Sequence, residues 1–378
     1  MPLFENIDNF KDNIALVSKS QGNINYRKII ENIKKISEIV SSRSIVFLIT
    51  KNTTGGLISY ISLLKNKSIV VLIDQKTPQN NLLNLIQIYK PDFLAGPTDI
   101  VKILNLDGFK YVESIYDYSF HTSSQKILKK TYKGLSLLLP TSGSMGSPKF
   151  VKLTEDNLIQ NAKSIISYLK INKKKRTVTT MPFSYSYMMS IINTYIETGA
   201  SIYVTESSII EKDFWEGFRK NKITCFSGVP YIFETLIKLG LEKIFTDSLE
   251  EFTQAGGKLN RESLNKLINF CKKKDIKFTT MYGQTEASPR ISYLDWKYIS
   301  TKKGSIGKAI PGTKIMLKDN DGLKIKESKK EGEIVFEGKN VCLGYANCIN
   351  DLNKPDENKG VLQEIYDFNF RQLELSIR

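Results

Sequence analysis

Two short apolar runs of nearly the same composition, residues 44–50 (SIVFLIT) and 68–74 (SIVVLID), flank a segment of helical pattern at 55–65. This alternation constrains the fold more than any other feature of the chain. Both runs are rich in β-branched residues and lack an alternating polar face, as strands buried on both sides do. A helical pattern at 80–89 leads into a third short run at 92–96. Strands separated by helices in this way pair in parallel, with helices covering both faces of the sheet.

After a variable stretch near 97–133 the pattern resumes. Residues 135–139 read as a strand that runs directly into a Gly/Ser loop, and 177–183, 200–205, 223–226 and 277–281 are further strand candidates. Helical patterns fill 154–170, 186–197, 209–220, 230–240 and 261–274. From about 305 the texture changes to strands at 313–318 and 332–337 with polar turns (DNDG, KKEGE) and little helix. The expected fold class is therefore α/β: mostly parallel sheets layered with helices in two related subdomains, plus a small β-barrel-like subdomain. The expected boundaries are 1–134, 135–304 and 305–362, followed by an atypical tail at 363–378.

Composition narrows the function classes. The four cysteines, Cys225, Cys271, Cys342 and Cys348, form no C-x-x-C pair, and His121 is the only histidine. Reduced thiols in a cytoplasmic protein are the simplest reading. The first residues lack a basic start and apolar run, and no apolar stretch approaches the roughly 18 residues of a membrane-spanning helix. The net charge is +16, but the lysines are dispersed. The densest cluster, Lys173 to Arg176, has no interleaved aromatics for base stacking, so nucleic acid is an unlikely partner. No G-x-S-x-G elbow occurs, and His121, read as a surface residue in a polar loop, offers no hydrolase triad.

The sharpest motif is the loop Thr141-Ser142-Gly143-Ser144-Met145-Gly146-Ser147-Pro148-Lys149, between a buried strand and a helix that starts near Thr154. Glycines free backbone N–H groups to turn inward, hydroxyls add donors, and the lysine adds a mobile charge. This combination suits phosphate oxygens, although a plain Ser/Gly turn is an equal reading of the loop alone. The loop is not a Walker A sequence. Tyr282-Gly283-Gln284-Thr285-Glu286 also follows a strand; an aromatic face, a hydroxyl and a carboxylate there could stack a base, touch a phosphate and hold Mg²⁺, although an ordinary strand-to-loop junction is the stronger reading of the segment alone. The pair Gly256-Gly257 allows close backbone approach to a flat ligand, with a simple turn an equal reading of the pair alone.

Together, in this order, these segments resemble the superfamily of acyl-CoA synthetases, nonribosomal-peptide adenylation domains and luciferases. The loop 141–149 is similar to its T-S-G-[ST]-T-G-x-P-K signature, and 282–286 to its Y-G-x-T-E motif. Residues 255–257 are similar to its adenine-binding glycines, 332–345 to its G-E-[IL]…G…G-Y segment, and 181–187 to the stretch beside its acyl pocket. The resemblance runs from about residue 12 to 362. It implies an AMP-forming ligase that uses ATP and Mg²⁺ to activate a carboxylic acid, with coenzyme A or carrier-protein pantetheine as acceptor. Thr141, Ser142, Gly143, Ser144, Gly146 and Lys149 would then handle the triphosphate. Gly256, Gly257, Tyr282 and Gly283 would hold adenosine, Thr285 the α-phosphate and Glu286 the metal, with Lys149, Thr285 and Glu286 closest to the chemistry.

Three departures from the family pattern stand out. Met145 replaces a small hydroxyl residue, and Tyr185 stands where many members have histidine. After residues 351–362 no T-G-D motif follows, so the resemblance further implies a chain ending before the small C-terminal domain and impaired by that loss. A nucleotide-binding remnant without activity is the alternative.

Overall fold

The computed structural model describes residues 2–104, 106–125, 127, 129–140, 149–244, 246–319, 321–325 and 332–362. Thr141, Ser142, Gly143, Ser144 and Gly146 of the phosphate loop, and the tail 363–378, lie outside these residues.

The two runs that dominate the sequence are neighbouring parallel strands, Ile45–Thr50 and Ile69–Asp74, in register from Ile45↔Ile69 to Thr50↔Asp74. Every residue of Ile45–Thr50 is buried. Val46 and Leu48 face one core, shared with the helix Thr54–Lys65, while Ile45, Phe47 and Ile49 face a second core. A strand covered on both faces needs no polar side, which is why the run reads as continuous β-branched sequence. These strands are the centre of an eight-stranded sheet. Its order is Tyr345–Ala346, Phe150–Thr154, Leu135–Pro140, Ile69–Asp74, Ile45–Thr50, Phe93–Pro97, Tyr118–Ser123, Phe109–Ile115. The middle four strands are parallel and the flanking ones antiparallel.

A four-stranded sheet joins Arg176–Val178, Ser201–Val204, Ile14–Ser18 and Gly22–Asn25, and a five-stranded sheet joins Cys225–Gly228, Glu251–Gln254, Lys277–Tyr282, Ser292–Leu294 and Lys308–Ala309. The two meet where the Thr224 amide donates to the Arg176 carbonyl at 2.9 Å. Pairing crosses residue 134 in both directions: Ile14–Ser18 pairs with Ser201–Val204, and Leu135–Pro140 with Ile69–Asp74. The smallest sheet, Lys314–Lys318, Glu333–Glu337 and Val361–Leu362, is antiparallel and, among the described residues, does not close into a barrel.

Several elements differ from expectation. The strand expected at 177–183 is only Arg176–Val178, because Pro182, which has no N–H for a ladder, turns the chain and accepts from the Tyr185 amide. The stretch 97–133 contains a hairpin, Phe109–Ile115 with Tyr118–Ser123, and His121 lies on its second strand rather than in a loop. That histidine is half-buried, 3.1 Å from the Ser119 hydroxyl and edge-on to Tyr111. Between the loop ending at Lys149 and the helix, Phe150–Thr154 forms a strand to which the sequence pattern gave no assignment.

Packing fixes the sheet nearest the site. The helix Lys212–Lys220 buries Phe214, Trp215 and Phe218. All three rings touch Phe226, which also meets Phe233 and Phe252. A fully buried Phe contributes roughly 1.5–3 kcal/mol, so this cluster holds Cys225–Gly228 and Glu251–Gln254 in place beneath the cleft.

Candidate active site

In the run of parallel strands Cys225–Gly228, Glu251–Gln254 and Lys277–Tyr282, the C-terminal ends of the last two open into a cleft of about 440 Å³. In open α/β sheets, this end of the strands is where ligands bind. The cleft is lined by residues from each segment singled out above: Tyr185 to Tyr187, Gln254 to Leu259, and Thr280 to Glu286.

Gly256 and Gly257 follow the middle strand with φ of +75° and +145°. Residues with a Cβ rarely adopt this backbone. A Cβ on Gly256 would lie 2.4 Å from the Tyr185 hydroxyl and 3.0 Å from Val229 Cγ1. The missing side chain thus makes room for Tyr185. Gln254, 4% exposed, donates from Nε2 to the Gly257 carbonyl at 2.8 Å and fixes the pair's orientation. Gly283 is glycine for a different reason, since a Cβ there would stand 1.9 Å from the Pro289 carbonyl oxygen.

Tyr282 ends its strand half-buried, and Thr285 and Glu286 form one short turn after it. The Thr285 hydroxyl is 3.2 Å from that of Ser186, the first residue of the helix Ser186–Glu197, which ties the turn to the opposite wall. Glu286 is held from the segment 338–345. Its carbonyl accepts from the Cys342 amide, and its carboxylate Oε1 accepts from the Tyr345 hydroxyl at 2.8 Å. Burial, reinforced by Glu286, raises the Tyr345 phenol above its ordinary range and keeps it a donor.

Lys149 reaches the same point by strand pairing. Tyr345↔Val151 joins the edge strand Tyr345–Ala346 to its neighbour Phe150–Thr154, and Lys149 Nζ sits 3.7 Å from the centre of the Tyr345 ring. Tyr345 therefore stands between the lysine and the carboxylate, two groups that are 137 positions apart by number (286 − 149). Sequence reading noted Gly344-Tyr345 only as part of a segment and gave Tyr345 no role. Its aromatic character beside the family-like glycine was the available signal.

The segment 338–345 is itself latched down. Thr154 caps the helix Glu155–Leu169 in a reciprocal pair with Asn157, whose Nδ2 donates to the carbonyls of Lys339 and Val341. Asn340, 1% exposed, donates to the carbonyls of Ala287 and Arg290. A helix cap and a strand edge thus converge on the turn that carries Glu286, a residue that lines the cleft.

Among the described residues no group of three or more His, Cys, Asp or Glu side chains could hold a metal alone. One carboxylate, Glu286, does suit Mg²⁺, which usually takes one or two protein carboxylates and completes its shell with water and phosphate oxygens. The hydrogen bond from Tyr345 occupies Oε1 and leaves Oε2 for such a role. No helix among the described residues is long and apolar enough to cross a membrane.

The fold agrees with comparison to known proteins. The chain is 28% identical over 225 residues to a 2-succinylbenzoate–CoA ligase of Geobacillus sp. (strain WCH70), covering 60% of this chain and 43% of that protein. It is 27% identical over 283 residues to a D-alanine–D-alanyl carrier protein ligase of Bacillus velezensis, covering 68% and 56%. The matches thus span about half the length of these relatives. In three dimensions it resembles the O-succinylbenzoate coenzyme A synthetase of Bacillus subtilis solved with ATP and magnesium, with a TM-score of 0.75, 18% identity, and coverage of 96% of this chain and 76% of that one. It also resembles the N-terminal domain of FACL13 from Mycobacterium tuberculosis, with a TM-score of 0.76, 14% identity and 96% coverage of each chain. The family model described as AMP-binding enzyme matches residues 3–346, a span that takes in every wall of the cleft, and the chain belongs to that family.

Proposed function

We propose that the cleft binds ATP with Mg²⁺ and activates a small carboxylic acid as its acyl-adenylate, with a thiol of coenzyme A or of a carrier protein's pantetheine as acceptor. The observation that carries this reading is the convergence of Lys149, Tyr345 and Glu286 beside the Gly256-Gly257 and Tyr282-Gly283 corners at the strand ends. The CoA ligase and carrier-protein ligase relatives support both acceptor classes. The free cysteines suit a reducing cytoplasm.

In this reading an oxygen of the substrate carboxylate attacks the α-phosphorus of ATP. The new acyl-oxygen–phosphorus bond forms as the bond between the α-phosphorus and the bridging oxygen breaks, and pyrophosphate leaves with that electron pair. Two anions must meet, so catalysis depends on positioning and preorganised positive charge. Lys149 supplies a cation, with the Tyr345 ring beneath it limiting where the ammonium can swing. Thr285, anchored to Ser186, offers a hydroxyl to the α-phosphate. The backbone turn at Gly256 and Gly257, packed on its other side by Tyr185 and Pro230, and the face of Tyr282 accept the adenine, and Gly283 lets the chain pass close to Pro289. Glu286 would hold Mg²⁺, which when bound offsets phosphate charge. The hydroxyls of the loop at 141–146 would add side-chain donors, and its glycines backbone N–H donors, to the triphosphate.

Equilibrium binding of ATP–Mg²⁺, followed by ATP–pyrophosphate exchange against a panel of carboxylic acids, tests the proposal. Saturable ATP–Mg²⁺ binding with acid-dependent exchange supports it. Failure to bind any adenine nucleotide would refute it.

A further inference from the structure

One buried charged side chain at the cleft has no role in the reading above. Arg290 follows the Glu286 turn and is 2% exposed. Its backbone is fixed, with the amide donating to the Ala287 carbonyl and the carbonyl accepting from Asn340. Its guanidinium has only neutral company. It lies 4.3 Å from the centre of the Tyr187 ring, and one terminal nitrogen donates to the Ser190 hydroxyl at 3.3 Å. Nε is buried without a hydrogen-bond partner, and no carboxylate pairs with the group among the described residues. A guanidinium presents five donors, and buried charges in proteins are normally paired.

The position of this charge gives it meaning. Arg290, Tyr187 and Met281 line the main cleft, and the same three residues line a narrow gap of about 10 Å³ behind it. Tyr185, Ser186 and Pro289 line the same cleft, and its other charged lining residues are Lys258 and Glu286. The cleft volume of about 440 Å³ is toward the lower end of the roughly 300–1,000 Å³ of small-molecule sites, so a bound nucleotide leaves space for a short acid only.

We infer that Arg290 is a specificity-determining residue that takes a second, remote carboxylate of the acid substrate, so that the cleft selects short dicarboxylic acids over monocarboxylic acids of the same length. The inference rests on the adenylation reading and adds the substrate class to it. The planar fork of arginine matches a carboxylate with two parallel hydrogen bonds, and a site closed to water makes that pairing strong. A monocarboxylic acid would leave the buried guanidinium as unpaired as it is without substrate.

The test uses two non-hydrolysable acyl-adenylate analogues, acylsulfamoyl adenosines carrying a succinyl or a butanoyl group, with ATP–Mg²⁺ as the reference ligand. Calorimetric binding to the parent chain should favour succinyl by roughly 10- to 100-fold, the worth of a charge-assisted hydrogen bond. Arg290→Met should abolish the preference by weakening succinyl alone, and Arg290→Lys should keep part of it, while ATP–Mg²⁺ affinity stays unchanged in both. ATP–Mg²⁺ binding to the parent chain without any preference between the analogues would overturn this inference alone, even if the variants fail to fold. A loss of ATP–Mg²⁺ affinity in folded Arg290→Met would also overturn it, by assigning Arg290 to the nucleotide. Failure of the parent chain to bind both analogues and ATP–Mg²⁺ would overturn the adenylation reading, and this inference with it.

Discussion

Replacing Gly256 by alanine should be costly in a way that can be separated into two parts. The backbone at this position has φ +75°, and a residue with a Cβ loses roughly 1–2 kcal/mol in left-handed conformation. The new methyl group would also lie 2.4 Å from the Tyr185 hydroxyl and 3.0 Å from Val229 Cγ1. Overpacking of this kind costs roughly 1–3 kcal/mol. The sum is about 2–5 kcal/mol of stability, or a smaller loss if Tyr185 swings into the cleft, in which case AMP affinity falls instead. Urea unfolding and AMP titration of the same samples distinguish the two outcomes. Tyr185→Phe removes the nearest clashing atom, and its hydroxyl makes no hydrogen bond among the described residues, so that change alone should be nearly neutral. The double variant should regain the roughly 1–3 kcal/mol of the clash and keep the backbone part. Gly256→Ala with the stability and AMP affinity of the parent would refute the reasoning, as would a double variant no better than Gly256→Ala.

Lys149→Ala should leave the fold intact and weaken ATP–Mg²⁺ binding by about 1.5–3 kcal/mol, the contribution of a charge-assisted contact to phosphate; calorimetry showing parent-like affinity would remove Lys149 from the site. Glu286→Gln keeps the shape and removes the charge, so ATP affinity should lose its Mg²⁺ dependence while AMP affinity changes little, and equal loss for both ligands would indicate a structural role. Glu251, 8% exposed beneath the cleft, titrates near 7 rather than 4.5, chiefly through burial, with a Thr279 hydrogen bond acting against the rise. A carboxyl raised in the folded state binds more protons there than in the unfolded state, so its contribution is fully present below about pH 4.5 and declines as pH rises to about 7. Glu251→Gln should flatten that decline in urea midpoints measured from pH 5 to pH 8, and an unchanged slope would exclude Glu251 as its source.

Much of the architecture is legible from local sequence. SIVFLIT and SIVVLID had to be strands covered on both faces, because no polar side exists to face water, and the helical stripes between them supply the covers. The strand ending at Tyr282, the glycine pair at 256–257 and the helix starting at Thr154 follow from pattern and capping chemistry in the same way. Which segments become neighbours does not follow. Nothing near Ile14 announces that it pairs beside Ser201–Val204, and Pro182 cuts short a run that otherwise reads as strand. The hairpin of Phe109–Ile115 and Tyr118–Ser123 escapes notice because, at a sheet edge, its first strand is largely exposed and lacks a clear apolar run. The site itself is a product of this long-range pairing. Tyr345 meets Glu286 and Lys149 only because its short strand adds to the edge at Val151 and because Asn157 and Asn340 hold the intervening segment down. Arg290, an ordinary basic residue in the sequence, becomes a buried cation only when the helix Ser186–Glu197 closes over it. Periodicity reports which side of an element is buried, whereas the partner that buries it is set by the packing of the whole chain.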